Sequence, residues 1–199
     1  LGMSQDGSVV YGIIGSPGQT GSRALVFHDL RSGELIARME PSPRVDSYLV
    51  DNAARTAVIE TIDRAVSVWD VATGAKLANL RDPSPDREPF DYSIEENIQL
   101  EPAGNSLSIT IERAADDTNA AETRTTVYRL RPDAHMLLRS DQSYRAGHIL
   151  NQGAGVILGT ADGLIERRWL DGQLLAQAQV HDGAIAKITP ASGAILTAG

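Results

Sequence analysis

Ala53-Ala54-Arg55-Thr56-Ala57-Val58-Ile59 is a turn of small residues running directly into a short apolar strand, and the pattern occurs five times along the chain. The other copies are Gln5-Asp6-Gly7-Ser8-Val9-Val10-Tyr11, Ala103-Gly104-Asn105-Ser106-Leu107-Ser108-Ile109, Gly153-Ala154-Gly155-Val156-Ile157-Leu158 and Ala191-Ser192-Gly193-Ala194-Ile195-Leu196. Aligned on Ser8, Thr56, Ser106, Gly155 and Gly193, they are spaced 48, 50, 49 and 38 residues apart. A period of this length means one supersecondary unit used again and again.

Each of the first four copies is followed by a second strand-like segment. Ala24-Leu25-Val26-Phe27-His28-Asp29-Leu30 and Ala65-Val66-Ser67-Val68-Trp69-Asp70-Val71 are the stronger pair. Thr125-Thr126-Val127-Tyr128-Arg129-Leu130 and Leu164-Ile165-Glu166-Arg167-Arg168-Trp169-Leu170 are weaker ones. All are rich in β-branched or aromatic residues and alternate in polarity, as half-buried strands do. Turn residues follow at Arg31-Ser32-Gly33, Ala72-Thr73-Gly74, Arg131-Pro132-Asp133 and Asp171-Gly172, and then a further strand, as in 34–39 and 75–80. The remaining strand of each unit precedes its turn, at Ser47–Val50, Asn97–Leu100, His148–Leu150 and Ala186–Thr189. No segment carries a 3.6-residue apolar period of helical length.

Four short antiparallel strands per repeat predict an all-β fold, a β-propeller of four-stranded antiparallel blades. About four and a half blades fit in the chain, as one propeller segment with units near 1–40, 41–81, 82–140 and 141–180 and a partial unit at 181–199. An unfinished blade leaves an open strand edge. The expectation is a piece of a larger propeller, with the edge at 194–197 completed by further sequence or by another polypeptide, and with the isolated chain dimeric or prone to aggregate.

Ser67-Val68-Trp69-Asp70-Val71-Ala72-Thr73-Gly74 resembles the closing signature of the WD-repeat family, whose third strand ends in Trp-Asp and turns on Thr-Gly. The resemblance implies a buried polar network joining the strand Trp, a hydroxyl on the second strand, an Asp in the tight turn and a His before the first strand. The second unit supplies Thr61, Asp63, Trp69 and Asp70 but no His; the fourth supplies His148, Thr160 and Asp162, with Arg168 in the Trp place and Trp169 one residue late. His28-Asp29 and Tyr128-Arg129 replace Trp-Asp in the first and third units, and His181-Asp182-Gly183 is similar to the family's His-containing entry turn. Asp70-Val71-Ala72-Thr73-Gly74 also resembles the first half of the docking motif of quinoprotein propellers, but the docking Trp is replaced by Ala78, and by Ala37 in the first unit.

Composition narrows the chemistry. The chain of 199 residues carries 18 Lys plus Arg against 26 Asp plus Glu, a formal charge of −8, which repels phosphate backbones and argues against nucleic-acid binding. The absence of cysteine removes disulfides, thiolate metal sites and cysteine nucleophiles, and leaves both cytoplasm, the first expectation, and periplasm open. No apolar run reaches the roughly 18–20 residues of a membrane helix, so membrane insertion is not expected.

Motifs for catalysis are incomplete. Gly12, Gly15, Gly18 and Gly21 lack the Gly-Lys-Ser/Thr of a phosphate-binding loop. His28, His135, His148 and His181 lack metal-ligand spacing, and Asp116-Asp117-Thr118-Asn119 lacks the spaced oxygens of a calcium loop. No catalytic residue, metal or cofactor is therefore assigned. The charged, proline-rich stretch 81–92 reads as a long loop, and its Phe90 and Tyr92 are the type of aromatic anchor that protein interfaces use. Tyr144 and Arg145, in the corresponding loop one unit later, form the second such pair. The predicted function is a non-catalytic scaffold for protein–protein interaction or assembly. The alternatives are an enzyme or cofactor-binding propeller, quinoprotein-like, with its active residues outside this chain, and a structural subunit completed by another polypeptide.

Overall fold

The computed structural model describes residues 1–15, 23–81, 94–113, 122–131, 134–140, 144–150, 155–169, 172–191 and 194–198. Every regular element among them is a β-strand, and none is a helix long and apolar enough to cross a membrane. The chain divides into two compact units, residues 1–91 with 102–104 and residues 92–101 with 105–199.

The first unit contains two four-stranded antiparallel sheets. One is β1 (Gly2–Met3), β2 (Val9–Ile14), β3 (Ala24–Asp29) and β4 (Leu35–Met39); the other is β5 (Val45–Val50), β6 (Thr56–Thr61), β7 (Val66–Asp70) and β8 (Lys76–Arg81). Strand order follows chain order in both, so each sheet is a simple meander made by hairpin turns. Leu25, Phe27, Met39, Val45, Ile59 and Val71 form one buried cluster shared by the two sheets. β6 is buried at all six positions, as expected of an inner strand covered on both faces.

The second unit has two sheets of the same kind. They are β9 (Ile94–Leu100) to β12 (His135–Ser140), through β10 (Ser106–Arg113) and β11 (Glu122–Arg129), and β13 (Tyr144–Ile149) to β16 (Leu174–Gln179), through β14 (Val156–Thr160) and β15 (Leu164–Arg168). A two-stranded sheet, β17 (Lys187–Ala191) with β18 (Ala194–Ala198), completes it. Ile185 and Ile188 pack with Ala146 and Ile157, which ties this last sheet to the one before it. The all-β class and the four-stranded antiparallel blade are thus both present in the structure.

Local chemistry explains the repeated turns. In the β3–β4 turn Asp29 Oδ1 accepts from the amides of Arg31 and Ser32 at 2.9 and 2.7 Å, and in the β7–β8 turn Asp70 Oδ1 accepts from the Thr73 amide at 2.9 Å. Gly33 and Gly74 then take φ of +75° and +67°, which a Cβ would disfavour. The tips of successive β-hairpins also bond one another: Gln5 N donates to Asn52 O at 2.7 Å, and Asn52 N to Pro102 O at 2.9 Å.

One boundary differs clearly from the sequence reading. Strand β13 begins at Tyr144 rather than near His148, so Tyr144 and Arg145 lie in a strand and not in a loop. A register shift between Tyr144 and Ala146 lets the strand start early while its later residues keep their pairing.

Candidate functional site

Phe90 and Tyr92 fall outside the described residues. Tyr144, expected as a partner-facing aromatic, is instead 1% exposed. Its hydroxyl donates to Glu166 Oε2 at 2.6 Å, and its backbone is clasped by two hydroxyls: Thr110 Oγ1 donates to its carbonyl at 2.7 Å, and Thr125 Oγ1 accepts from its amide at 3.1 Å. A side chain so enclosed cannot anchor a partner. Arg145 is half-buried, and its carbonyl accepts a hydrogen bond from the Gln99 side chain.

The network expected from the WD-repeat resemblance is present in pieces that do not join. Thr61 Oγ1 donates to Asp63 Oδ1 at 2.5 Å, closing the β6–β7 turn, and Thr160 makes the same bond to Asp162 in the β14–β15 turn. Trp69 is not part of either. The register places Trp69 opposite Ala57, four residues along β6 from Thr61, which is roughly 13 Å in an extended strand. Its indole Nε1 donates to Ser67 Oγ at 2.8 Å instead, and the ring is half-buried with the Lys76 ammonium 5.7 Å from its centroid. Asp70 holds the β7–β8 turn through the amide and hydroxyl of Thr73.

His148 is also displaced from its expected role. It lies inside β13 opposite Ile157, whereas Thr160 pairs with Tyr144 at the other end of the strand. Its Nδ1 is buried, without a hydrogen-bond partner among the described residues, and stands 3.8 Å from Glu101 Oε1. His181, in the entry turn, contacts Thr197 Oγ1 through Nε2 at 2.9 Å.

Two buried carboxylates were not singled out by sequence reasoning. Glu166, 4% exposed, takes the Tyr144 hydroxyl and the Arg168 guanidinium, the latter at 2.7 Å from Nε. Burial first, and the bond to Glu166 second, push the Tyr144 phenol up to about 12. Glu60, 7% exposed, is held by Arg64 at 3.1 Å, by Arg81 at 3.3 Å and by the Ser47 hydroxyl at 2.9 Å. The only sequence signal for either was a Glu in a strand with Arg residues a few positions away. Glu60 links β6 to β5 through Ser47 and to β8 through Arg81, and Glu166 links β15 to β13 through Tyr144.

Among the described residues no group of three or more His, Asp or Glu side chains could hold a metal ion. The fourth strand of each four-stranded sheet holds a large apolar side chain in solvent. Leu35 on β4, Leu77 on β8, Met136 on β12 and Leu174 on β16 are 53%, 45%, 56% and 41% exposed.

No family model matches the sequence, and no curated protein does. Solved structures do. The β-propeller domain of Cps50 (Swd1) from Myceliophteria thermophila superposes with a TM-score of 0.52 at 12% identity, covering 94% of this chain and 57% of that one. Hydrazine synthase of Kuenenia stuttgartiensis gives a TM-score of 0.49 at 13% identity, over 94% of this chain and 63% of that one. The chain thus spans less than two thirds of either structure. The likeness to the Swd1 domain, with the four-stranded sheets, establishes a propeller-type fold.

Proposed function

We propose that the chain is a non-catalytic interaction module of propeller type, presenting the outer strands of its blades to a protein partner. The observation that carries this reading is the large apolar side chain that each fourth strand holds in solvent: Leu35, Leu77, Met136 and Leu174. An isolated exposed Leu needs no explanation, but a large apolar side chain left in solvent on the fourth strand of every four-stranded sheet is a repeated feature. The buried charged groups Glu60 and Glu166 are engaged in cross-linking strands, which supports a rigid platform rather than a reactive centre. The acidic balance of the chain directs the choice to protein rather than nucleic acid.

The two-stranded sheet β17–β18 favours a second reading, a structural subunit whose last blade is completed by further sequence or by another polypeptide. Photo-crosslinking from single outer-strand positions in the parent cells tests both. A probe at Leu77 or Met136 is expected to give a discrete protein adduct, and one at Ile195 an adduct only if another chain completes the blade. Outer-strand probes that yield no adduct, together with quinone binding or metal-dependent turnover by the full-length protein, would replace the module with the enzyme alternative.

A further inference from the structure

β16 differs from the other outer strands in what guards it. β4 carries Arg38, β8 carries Lys76 and Arg81, and β12 carries Arg139. Charges of this kind are a standard protection of an edge strand against pairing with another chain. From Gln173 to Val180 the sequence is Gln-Leu-Leu-Ala-Gln-Ala-Gln-Val, with no charge and no proline. All six residues of β16 are exposed, and Trp169 and Val180, each 42% exposed, extend the apolar surface on either side. In its sheet β16 bonds only β15, so alternate amide and carbonyl groups along its other edge point outward.

We infer that β16 is a self-association edge, which pairs antiparallel with β16 of a second copy about a two-fold axis near Ala176 and Gln177. Charge selects this occupant. The chain is net −8, so two copies repel one another in general and meet closely only where both surfaces are neutral. In a two-fold antiparallel pair each residue of the strand faces a residue of the same strand, so any charge on it is brought near its own copy. Of the four outer strands, only β16 meets that condition without a like-charge penalty. β18 is uncharged too, but it is the second strand of its sheet, and in all four complete sheets the second strand pairs with a third. The open edge of β18 is therefore the place of a blade strand. β16 holds the fourth position, beyond which no described sheet adds a strand.

Light scattering on the 199-residue chain over a concentration series reads the outcome. The mass is expected to rise to twice that of the monomer, to stay at one monomer in Ala176→Lys, and to double as before in Leu196→Lys. Residue 176 is exposed, so the lysine is accommodated and the β-type circular dichroism is expected to be unchanged. The chain has no cysteine, so Gln177→Cys adds a single thiol near the axis, and mild oxidation is expected to give a disulfide-linked dimer. A chain monomeric at every concentration, a dimer that survives Ala176→Lys, or one lost only in Leu196→Lys would overturn the assignment.

Discussion

The indole N–H of Trp69 is held by the hydroxyl of Ser67, 2.8 Å away and two residues back on the same strand, and the guanidinium of Arg168 stands in the same relation to Glu166 at 2.7 Å. Residues i and i+2 of a strand share a face, so a donor and an acceptor at that spacing meet without any turn. Counted from Thr61 and from Thr160, the two pairs occupy the same positions of the third strands β7 and β15. One geometry is thus filled by neutral groups in the first unit and by an ion pair in the second.

Ser67→Ala is expected to leave the indole N–H without its acceptor at a cost of about 1 kcal/mol. Trp69→Ala removes more, about 2–3 kcal/mol, and less than the ~3–5 kcal/mol of a fully enclosed Trp because the ring is half in solvent. Urea unfolding of the two variants checks the order. Equal costs would mean that the ring contributes nothing beyond its hydrogen bond.

The Glu166 cluster is expected to behave as a unit. Arg168→Met leaves a buried carboxylate with one donor and costs about 3 kcal/mol, whereas Tyr144→Phe costs about 1–2 kcal/mol. Both changes act on the same carboxylate, so the double variant is expected to depart from additivity by ~0.5 kcal/mol or more. The pH dependence carries its own sign. Tyr144 holds its proton more tightly folded than unfolded, so its contribution is complete below the ordinary phenol value near 10 and is lost as pH rises toward about 12. Ultraviolet titration should show one phenol ionising near 12, and a normal titration of all five tyrosines would refute the enclosure of Tyr144.

The blade repeat was legible because turn residues and β-branched strands leave a local mark at every copy, and the Asp29 and Asp70 turns follow from Asp-x-x-Ser/Thr-Gly alone. The polar network was not. Thr61, Asp63 and Trp69 have the family's spacing, yet which of them touch depends on hairpin register, and the register of β6 and β7 puts Trp69 beside Ala57. Tyr144 misled for a related reason: a Tyr-Arg pair beside polar residues reads as a loop, and only the distant Glu166, Thr110 and Thr125 turn it inward. Contacts made across strands far apart in sequence leave no local trace.

Asp6 offers a test at the acid end. Its Oδ1 accepts from the Ser4 hydroxyl at 2.6 Å and from the Ser8 amide at 3.0 Å, and these bonds hold the carboxyl down at about 2. A depressed carboxyl stabilises the fold fully above its ordinary value near 4 and ceases to do so as pH falls through about 2. Carbon-detected titration of Asp6 is expected to give that midpoint, and Ser4→Ala is expected to raise it. An unchanged midpoint in Ser4→Ala would show that the hydroxyl is not the main cause.

The hairpin tips allow one backbone conformation to be tested in three settings. Gly7, Ala54 and Gly104 sit at equivalent places with φ of +74°, +51° and +72°. A Cβ on Gly7 meets nothing within 4 Å, so Gly7→Ala is expected to cost only the left-handed strain, about 1 kcal/mol. A Cβ on Gly104 runs into the Asp51 carboxylate, which is 1% exposed and already accepts from the Arg55 amide at 2.7 Å, so it has no free space to retreat into. Gly104→Ala therefore adds a collision to the strain and is expected to cost about 2–4 kcal/mol. Ala54→Gly works in the opposite sense: relief of strain is offset by the greater freedom of glycine in the unfolded chain, and stability should change by less than about 0.5 kcal/mol. The three variants, unfolded in urea under one set of conditions, should rank Gly104→Ala lowest, Gly7→Ala next and Ala54→Gly level with the parent. If Gly104→Ala costs no more than Gly7→Ala, Asp51 must be able to swing away, and the tight seat of its carboxylate against the β9–β10 tip would have to be given up.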